Sequence, residues 1–251
     1  MKISIITATY NSDKTLEACM DSVLNQNYDN IEYVIIDGNS KDRTLDLIKA
    51  KAKTQKNITW ISEQDYGIYD ALNKGIKKAN GDVIGFVHSD DCLADDFVIS
   101  KIVESFQKEH VDGVYGNLHY VQADNSDQIV RNWTSQPFKK NLLNRGWMPA
   151  HPTLFLKREV YQNFGNFNLD YRIAADYDFI LRIFKNPELN FFYLPYTITK
   201  MRVGGASNRN LKNLFLKSKE DFRAAKDNGI PFPLLVLGFK NLSKIPQWLS
   251  K

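Results

Sequence analysis

Asp90 and Asp91 stand side by side just after the apolar run VIGFV at 83–87. Adjacent carboxylates at the end of a buried segment repel each other, and oxygen ligands suit a hard cation such as Mg2+ or Mn2+. Such a cation clamps a diphosphate and neutralises the charge that builds on a phosphate leaving group. The pair has a plainer use as well, as a cap for the helix expected after Asp95-Asp96. Three more polar clusters follow apolar runs: Thr9-Tyr10-Asn11, Asp37-Gly38-Asn39 and Glu63-Gln64-Asp65. Four such clusters suggest one common edge rather than four unrelated loop ends.

That edge requires particular elements. Apolar runs at 2–8, 31–36, 58–62 and 82–87 read as buried strands, and 113–122 as a further one. Leu16, Cys19, Met20, Val23 and Leu24 fall on one face of a helix, with Ser12 as its expected N-cap. Helices are also expected over 42–53, 68–79 (stopped by Asn80-Gly81) and 97–106. Strands alternating with helices of this length give βαβ units and a mostly parallel α/β sheet, whose strand carboxyl ends line the ligand crevice. The second half is less regular: helices near 138–144, 158–163 and 174–184, strands at 153–156 and 191–201, then a basic helix over 211–227. The apolar stretch 231–239 follows it.

Several classes are excluded. The 251 residues contain no GxxxxGK[ST], no GxGxxG after the first strand and no GxSxG, which removes the P-loop, the dinucleotide-binding Rossmann fold and the hydrolase elbow. Two cysteines make no disulfide scaffold, and no Cys/His spacing suggests zinc. The opening MKISIITATY does not read as a secretory signal, and 231–239 is far shorter than the ~20 residues of a membrane-spanning helix. A cytoplasmic protein is the expectation. The net charge of +4 divides unevenly: residues 1–130 hold 21 acidic and 13 basic side chains, residues 131–251 hold 8 and 20. This split suggests a carboxylate-bearing site in the first half and an anionic partner for the second, or two halves that neutralise each other.

The order of the motifs is informative in itself. IITATYNS at 5–12, IIDGNSKDRT at 35–44, SEQDYGIYDALNKGI at 62–76, GDVIGFVHSDD at 81–91, HPTLFLKR at 151–158 and AADYDFILRI at 174–183 together resemble the family 2 glycosyltransferases. The resemblance covers about residues 1–205. It implies the GT-A fold, a Rossmann-like sheet flanked by helices, and transfer of a sugar with inversion from a nucleotide diphosphate donor, commonly a UDP-sugar, in surface-polysaccharide synthesis. It also implies Mn2+ or Mg2+ as cofactor and a glycan or lipid-linked glycan as acceptor. The corresponding division is a catalytic domain over 1–205, with nucleotide-sugar binding in 1–122 and the acceptor side in 123–205, and a basic helical extension over 206–251.

Site roles carry over position by position. Thr7, Thr9 and Tyr10 lie where the first strand meets the nucleoside, and Asp37 matches the acid that recognises base and ribose. Asp65 and Asn73 belong to the block flanking nucleotide and donor sugar. Glu63 either joins them or only terminates a strand, and Tyr66, Tyr69 and Asp70 either face the site or pack their helix. Asp90 and Asp91 match the metal-binding DxD region, with Asp91 the expected ligand and Asp90 near the sugar or ribose. His88 replaces the first acid of that pattern, as a metal ligand or as a hydrogen-bonding strand-end histidine. Asp176 matches the general base that deprotonates the acceptor hydroxyl, although Ala175 replaces the usual acid before it. Asp178 points to another helix face. His151 sits where relatives place a histidine beside the diphosphate or acceptor. Trp147 stacks on a sugar or covers the core, and Arg202, in the Gly204-Gly205-Ser207 region, reaches the diphosphate or stays on the surface.

Residues 200–251 hold 11 basic and 3 acidic side chains. With the apolar run, Lys240, Lys244, Trp248 and Lys251 suit an anionic membrane surface, or else the segment packs on the domain or across a homo-oligomer. Two other functions compete with transfer. A nucleotidyltransferase needs a Gly-rich basic loop after the first strand, which TATYNSDK does not supply. A catalytically silent nucleotide-sugar-binding partner of a polysaccharide assembly is consistent with His88 and Ala175. Nothing in the pattern points to nucleic acid.

Overall fold

The computed structural model describes residues 1–204 and 211–242. Its first half is a parallel βαβ series. The strands are β1 (Ile3–Thr9), β2 (Ile31–Asp37), β3 (Ile58–Ser62) and β4 (Val83–Phe86), connected by α1 (Leu16–Leu24), α2 (Thr44–Thr54) and α3 (Ile68–Lys78). Every residue of β1 is buried, because a central parallel strand is covered on both faces. Two apolar clusters form, one on each side of the sheet. Ile6, Val34, Leu72 and Phe86 lie in one, and Ile5, Leu16, Met20 and Ile35 in the other. Helix α3 lies unusually close to β1: a Cβ on Gly75 would come within 2.3 Å of Ile6 Cγ2.

The second half adds β5 (Asp91–Leu93), α4 (Val98–Glu109), β6 (Gly113–Val121), β7 (Ile129–Trp133), β8 (Phe155–Lys157), α5 (Arg158–Phe164), α6 (Ala175–Phe184) and β9 (Phe191–Arg202). The sheet runs β3-β2-β1-β4-β8-β6-β9-β5, with β7 on β6. β8 is antiparallel to both β4 and β6, β7 is antiparallel to β6 and β5 to β9, whereas β6 and β9 are parallel. The chain proceeds from β1 outward to β3 and then returns to β4 on the other side of β1. That reversal is a topological switch point, where strand ends diverge and a crevice opens. Ser12 Oγ and Ser89 Oγ, 3.0 Å apart, tie the loops that follow the two strands.

Helices α7 (Leu211–Asp227) and α8 (Pro233–Leu242) pack on this body. Ala224, Ala225, Ile230 and Val236 join the same apolar cluster as Tyr177 and Phe179 of α6.

The sequence expectations need several local corrections. β5 and β7 were not foreseen, because strands of three and five residues beside polar turns carry no readable periodicity. The helix expected at 138–144 is a 3-10 turn over Lys140–Arg145, ended by Gly146 at φ 70°. The strand expected at 153–156 starts as a 3-10 turn, His151–Thr153. Ser12 is not the side-chain cap of α1: its carbonyl accepts the Thr15 and Leu16 N–H groups, and its hydroxyl turns to Tyr10 O and Ser89. Gly205, Ser207, Lys244, Trp248 and Lys251 lie outside the described residues.

Gly85 of β4 tests the packing where the two halves meet. A Cβ there would lie 2.1 Å from Phe155 Cε1, and Phe155 is fully buried. Gly85→Ala should destabilise the fold by about 1–3 kcal/mol, the usual cost of overpacking a core. A fall in the urea midpoint at unchanged m-value is the expected reading.

Candidate active site

One end of the crevice is built where β1 and β2 stop. Thr9 and Asp37 are register partners, and Gly38 N–H donates to the Thr9 carbonyl at 2.9 Å. Gly38 is required for close approach: a Cβ there would lie 2.5 Å from Asp65 Oδ2 and 3.4 Å from Tyr10 Cδ2. Tyr10 and Asp65 thus converge over a bare backbone, with the Tyr10 ring exposed. Asp65 also accepts the Gly67 N–H at 3.0 Å, which shapes the entry to α3. Lys74 fixes the same loop, 3.0 Å from Glu63 and 3.3 Å from Asp70, with a bond to the Gln64 carbonyl. Glu63 and Asp70 therefore hold the loop, and Tyr66 is 95% exposed beside it.

Three sequence-derived placements change here, and Trp147 takes the second of its two readings. Thr7 does not reach the crevice: its hydroxyl is fully buried, donates to Val87 O at 2.7 Å and lies 3.0 Å from Tyr33 Oη. Asp37 is likewise fully buried, its oxygens taken by Ser40 N–H, Ser40 Oγ and Ser62 Oγ, so it shapes the 38–40 turn from behind. Asn73 is occupied by the Phe167 backbone in both directions, at 2.9 and 3.0 Å, and clamps α3 to the 167 loop. Trp147 packs with Phe138, Tyr115 and Phe184 at ring separations of 5.7–5.8 Å, so it covers the core.

The second end of the site is a buried polar cluster beside β4, β5 and β9. Asp91 is 1% exposed; its Oδ1 accepts the Arg202 N–H at 3.3 Å, and its Oδ2 has no hydrogen-bond partner. Burial, reinforced by Asp90, holds its carboxyl well above the ordinary range. Arg202 also donates from Nη1 to the Asp90 carbonyl at 2.8 Å, which places the guanidinium at the acidic pair. His88 and His151 face each other with ring centres 6.1 Å apart, and His151 stacks on Phe86 and meets Phe167 edge-on. Burial depresses both imidazoles, His151 to about 4, so both are neutral near pH 7. Asp176 acts on each of them in the opposite direction. His88 Nδ1 and His151 Nε2 are buried without partners, as is Thr9 Oγ1. An unpartnered buried donor or acceptor is costly, and such atoms are accounted for by a ligand that completes them.

Asp176 lies in the first turn of α6, half-buried. Its Oδ1 is 3.0 Å from Tyr69 Oη, which also lies 2.7 Å from the Ile173 carbonyl, so α3 reaches across the crevice to the acid. This settles the position of Tyr69, open from sequence alone. Asp178 points away, bonded to Arg182 and Asn228.

Sequence reading missed Glu220 of α7. Only 8% exposed, its carboxylate accepts the N–H groups of Arg172, Ile173 and Ala174 at 3.0, 2.7 and 2.9 Å. These are the residues that lead into α6. One carboxylate thus satisfies donors that α6 leaves open at its N-terminus and fixes the loop before Asp176. Nothing in the sequence singles it out, because a glutamate in a lysine-rich amphipathic helix has the pattern of a solvated surface.

An α/β sheet with a switch-point crevice and an acidic pair after one of its central strands has the architecture of the GT-A fold. Solved structures support that fold. TarS of S. aureus in complex with UDP-GlcNAc superposes with a TM-score of 0.71 at 15% identity, over all of this chain and 79% of its own. The mannosyltransferase PcManGT from Pyrobaculum calidifontis, in complex with GDP-Man and Mn2+, gives 0.66 at 18% identity, over 99% and 73%. The family model "Glycosyl transferase family 2" matches residues 4–165. A PGL/p-HBAD biosynthesis glycosyltransferase of Mycobacterium bovis is 32% identical over 225 residues, 85% of this chain and 82% of its own. The chondroitin synthase of Pasteurella multocida is 29% identical over 88% of this chain but 22% of its own. The chain belongs to glycosyltransferase family 2 and is a glycosyltransferase.

Glu220→Gln should leave the fold standing and lower turnover. The amide replaces one accepting oxygen with a donor, and that oxygen serves one or two of the three N–H groups. A fall in kcat of roughly tenfold or more is expected, with nucleoside diphosphate affinity unchanged in calorimetry and a loss of about 1–3 kcal/mol in stability.

Proposed function

We propose that the protein transfers a sugar with inversion from a nucleoside diphosphate donor, best supported as a UDP-sugar, to a hydroxyl of a glycan or lipid-linked glycan in polysaccharide or glycolipid synthesis. The observation that carries this reading is the buried pair His88 and His151, each with an unpartnered ring nitrogen and each under the influence of Asp176, with Asp90 also acting on His88 and the unpartnered Asp91 Oδ2 next to Asp90. The names of two relatives, a PGL/p-HBAD biosynthesis glycosyltransferase and a chondroitin synthase, are in keeping with that acceptor class.

In this reading Tyr10 and Asp65 take the nucleoside, with Asp37 and Gly38 shaping the backbone beneath them. Arg202 and neutral His151 serve the diphosphate. A divalent cation fits the acidic pair: a buried Asp91 carboxylate oxygen with no partner, next to the carboxylate of Asp90. Among the described residues no group of three or more His, Cys, Asp or Glu is placed to hold a metal ion by itself. Asp91, with Asp90, would therefore hold Mn2+ or Mg2+ together with the donor phosphates, the mode common for such cations. The cation would neutralise the departing diphosphate. Asp176 takes the proton of the acceptor hydroxyl from the opposite face, and Tyr69 and the Glu220-held loop fix its carboxylate.

Two variants test the assignment by calorimetry with UDP, with and without Mn2+, and by transfer from UDP-sugars. Asp91→Ala should lose the metal dependence of nucleotide binding. Asp176→Asn should keep nucleotide binding and lower transfer by roughly 10²–10⁴. Metal-independent binding by the wild type, or near-normal transfer by Asp176→Asn, would overturn the respective role.

We further propose peripheral attachment to an anionic membrane through α8. No helix of the described residues is long and apolar enough to cross a membrane. Instead, one arc of α8 presents Leu234, Leu235, Phe239 and Leu242 to solvent, with Phe232 just before it. The exposed Lys219, Arg223 and Lys226 of α7 supply positive charge. Lys240 takes no part, because it is buried, 2.9 Å from Asp221 and over the Tyr177 ring. Leu234→Ser/Leu235→Ser/Phe239→Ser should abolish co-sedimentation with phosphatidylserine vesicles, while salt only weakens wild-type binding. Unchanged binding by the triple variant would assign the face to another partner.

A further inference from the structure

The sheet face that carries Asp91 continues outward past the donor site. Asp91 of β5 pairs with Met201 of β9, Met201 with Tyr120 of β6, and Tyr120 with Arg131 of β7. Directly paired residues project to the same side of a sheet, so these four side chains form one row across four strands. The next row on that side is Leu93, Thr199, Leu118 and Trp133. Thr199 Oγ1 donates to the Pro152 carbonyl at 2.9 Å, so the His151–Pro152 turn packs on this same face. Strand spacings of about 4.8 Å put Arg131 roughly 14 Å from Asp91 along the row.

The outer end of this row is chemically distinctive. The Arg131 guanidinium carbon lies 4.7 Å from the centre of the Tyr120 ring and 5.8 Å from that of Trp133. All three side chains are half-buried, so each keeps a surface open to solvent. Burial depresses Arg131 basicity and raises the Tyr120 phenol, and Asp91 adds to the latter. The platform therefore sits within electrostatic reach of the donor carboxylate. The donor needs nothing from it, since the nucleoside end lies at β1 and β2 and the diphosphate end at Asp91 and Arg202.

We propose that Tyr120, Arg131 and Trp133 form an acceptor subsite on the β6–β7 hairpin that binds a pyranose ring of the glycan acceptor. The proposal rests on the reading of Asp91, His151 and Asp176 as the transfer centre. Indole and phenol rings offer flat apolar faces, edged by polar groups, that suit the C–H face of a sugar. The guanidinium adds several fixed N–H donors for ring hydroxyls or a sugar carboxylate. A glycan held there extends along the row toward Asp91, so the subsite selects acceptors that carry a sugar beyond the hydroxyl being glycosylated.

The test uses the full chain with UDP bound and four probes, the p-nitrophenyl glycosides of glucose, galactose, N-acetylglucosamine and rhamnose. Saturation-transfer NMR and titration read binding. At least one glycoside should bind the wild type. Trp133→Ala and Arg131→Ala should each weaken it tenfold or more, Trp133→Phe should restore most of the affinity, and UDP affinity should stay within twofold throughout. Equal glycoside affinity in both alanine variants, or no glycoside bound by the UDP-loaded wild type, would overturn the subsite. UDP binding by the wild type, measured first, reports on the donor site separately, so failure of the transfer reading is distinguishable from failure of the subsite. Circular dichroism of each variant shows that the hairpin has folded.

Discussion

The site depends on the divergence of β1 and β4. Both strands are fully buried in the middle of the sheet, yet the chain leaves them in opposite directions, from β1 to β2 on one side and from β4 to β5 beyond β8, β6 and β9 on the other. Their following loops have no neighbouring strand to bridge the gap between them, and the Ser12–Ser89 contact is a tie rather than a floor. The crevice is thus a consequence of connectivity. What the sequence adds is close approach: Gly38 admits Asp65 and Tyr10, and Gly75 brings α3 against Ile6 so that Tyr69 can reach Asp176.

Within that crevice the protein tolerates electrostatic cost. Asp91 Oδ2, His88 Nδ1 and His151 Nε2 are buried and unpartnered. Each would be cheaper as an apolar side chain if stability alone mattered. Burial keeps the two imidazoles neutral, so they can accept or donate without adding positive charge. It also drives Asp91 away from its ionised form. Groups arranged in this way have their polarity completed by a ligand, and perturbed groups converging in a cleft characterise a functional site. Nearby carboxylates that serve only the fold look different: Asp37 and Asp178 have every oxygen engaged.

Much of this was legible in the sequence where the signal is local and repeated. The buried strands β1 to β4 and the helices between them follow from apolar runs and 3.6-residue spacing, and so did the convergence of their polar ends. The residues that face the crevice were harder to identify, because strand alternation and turn geometry decide which way a side chain points. Thr7 and Thr9 share a strand face, yet Thr7 is committed to Val87 O while Thr9 lies at the rim. Asp37 has the sequence pattern of a ligand-binding acid, but Ser40 and Ser62 draw it inward. Asn73 and Trp147 have tertiary partners 94 and 37 residues away, Phe167 and Phe184, that no window around them contains. The split in charge proved informative in another sense: acidic groups do line the first half of the site, while part of the basic surplus is internal, as at Lys240.

The C-terminal helices show how an appended segment becomes part of a catalytic centre. Glu220 reaches the loop before α6 and satisfies three donors that would otherwise compete for solvent beside Asp176. Lys240 is buried against Asp221 and the face of Tyr177, the residue next to Asp176. Isolated burial of a lysine is unfavourable, and its pKa is depressed by burial, so Asp221 and the Tyr177 ring must both be in place for α8 to dock. Docking of α8 and positioning of Asp176 therefore involve the same first turn of α6 from two sides. The inward face of α8 carries Val236 and the paired Lys240, while Leu234, Leu235, Phe239 and Leu242 face outward, so more of its apolar side chains are exposed than on an ordinary surface helix. Glu220, Asp221 and Lys240, buried charged residues of α7 and α8, thus couple the exposed apolar face of α8 to the first turn of α6.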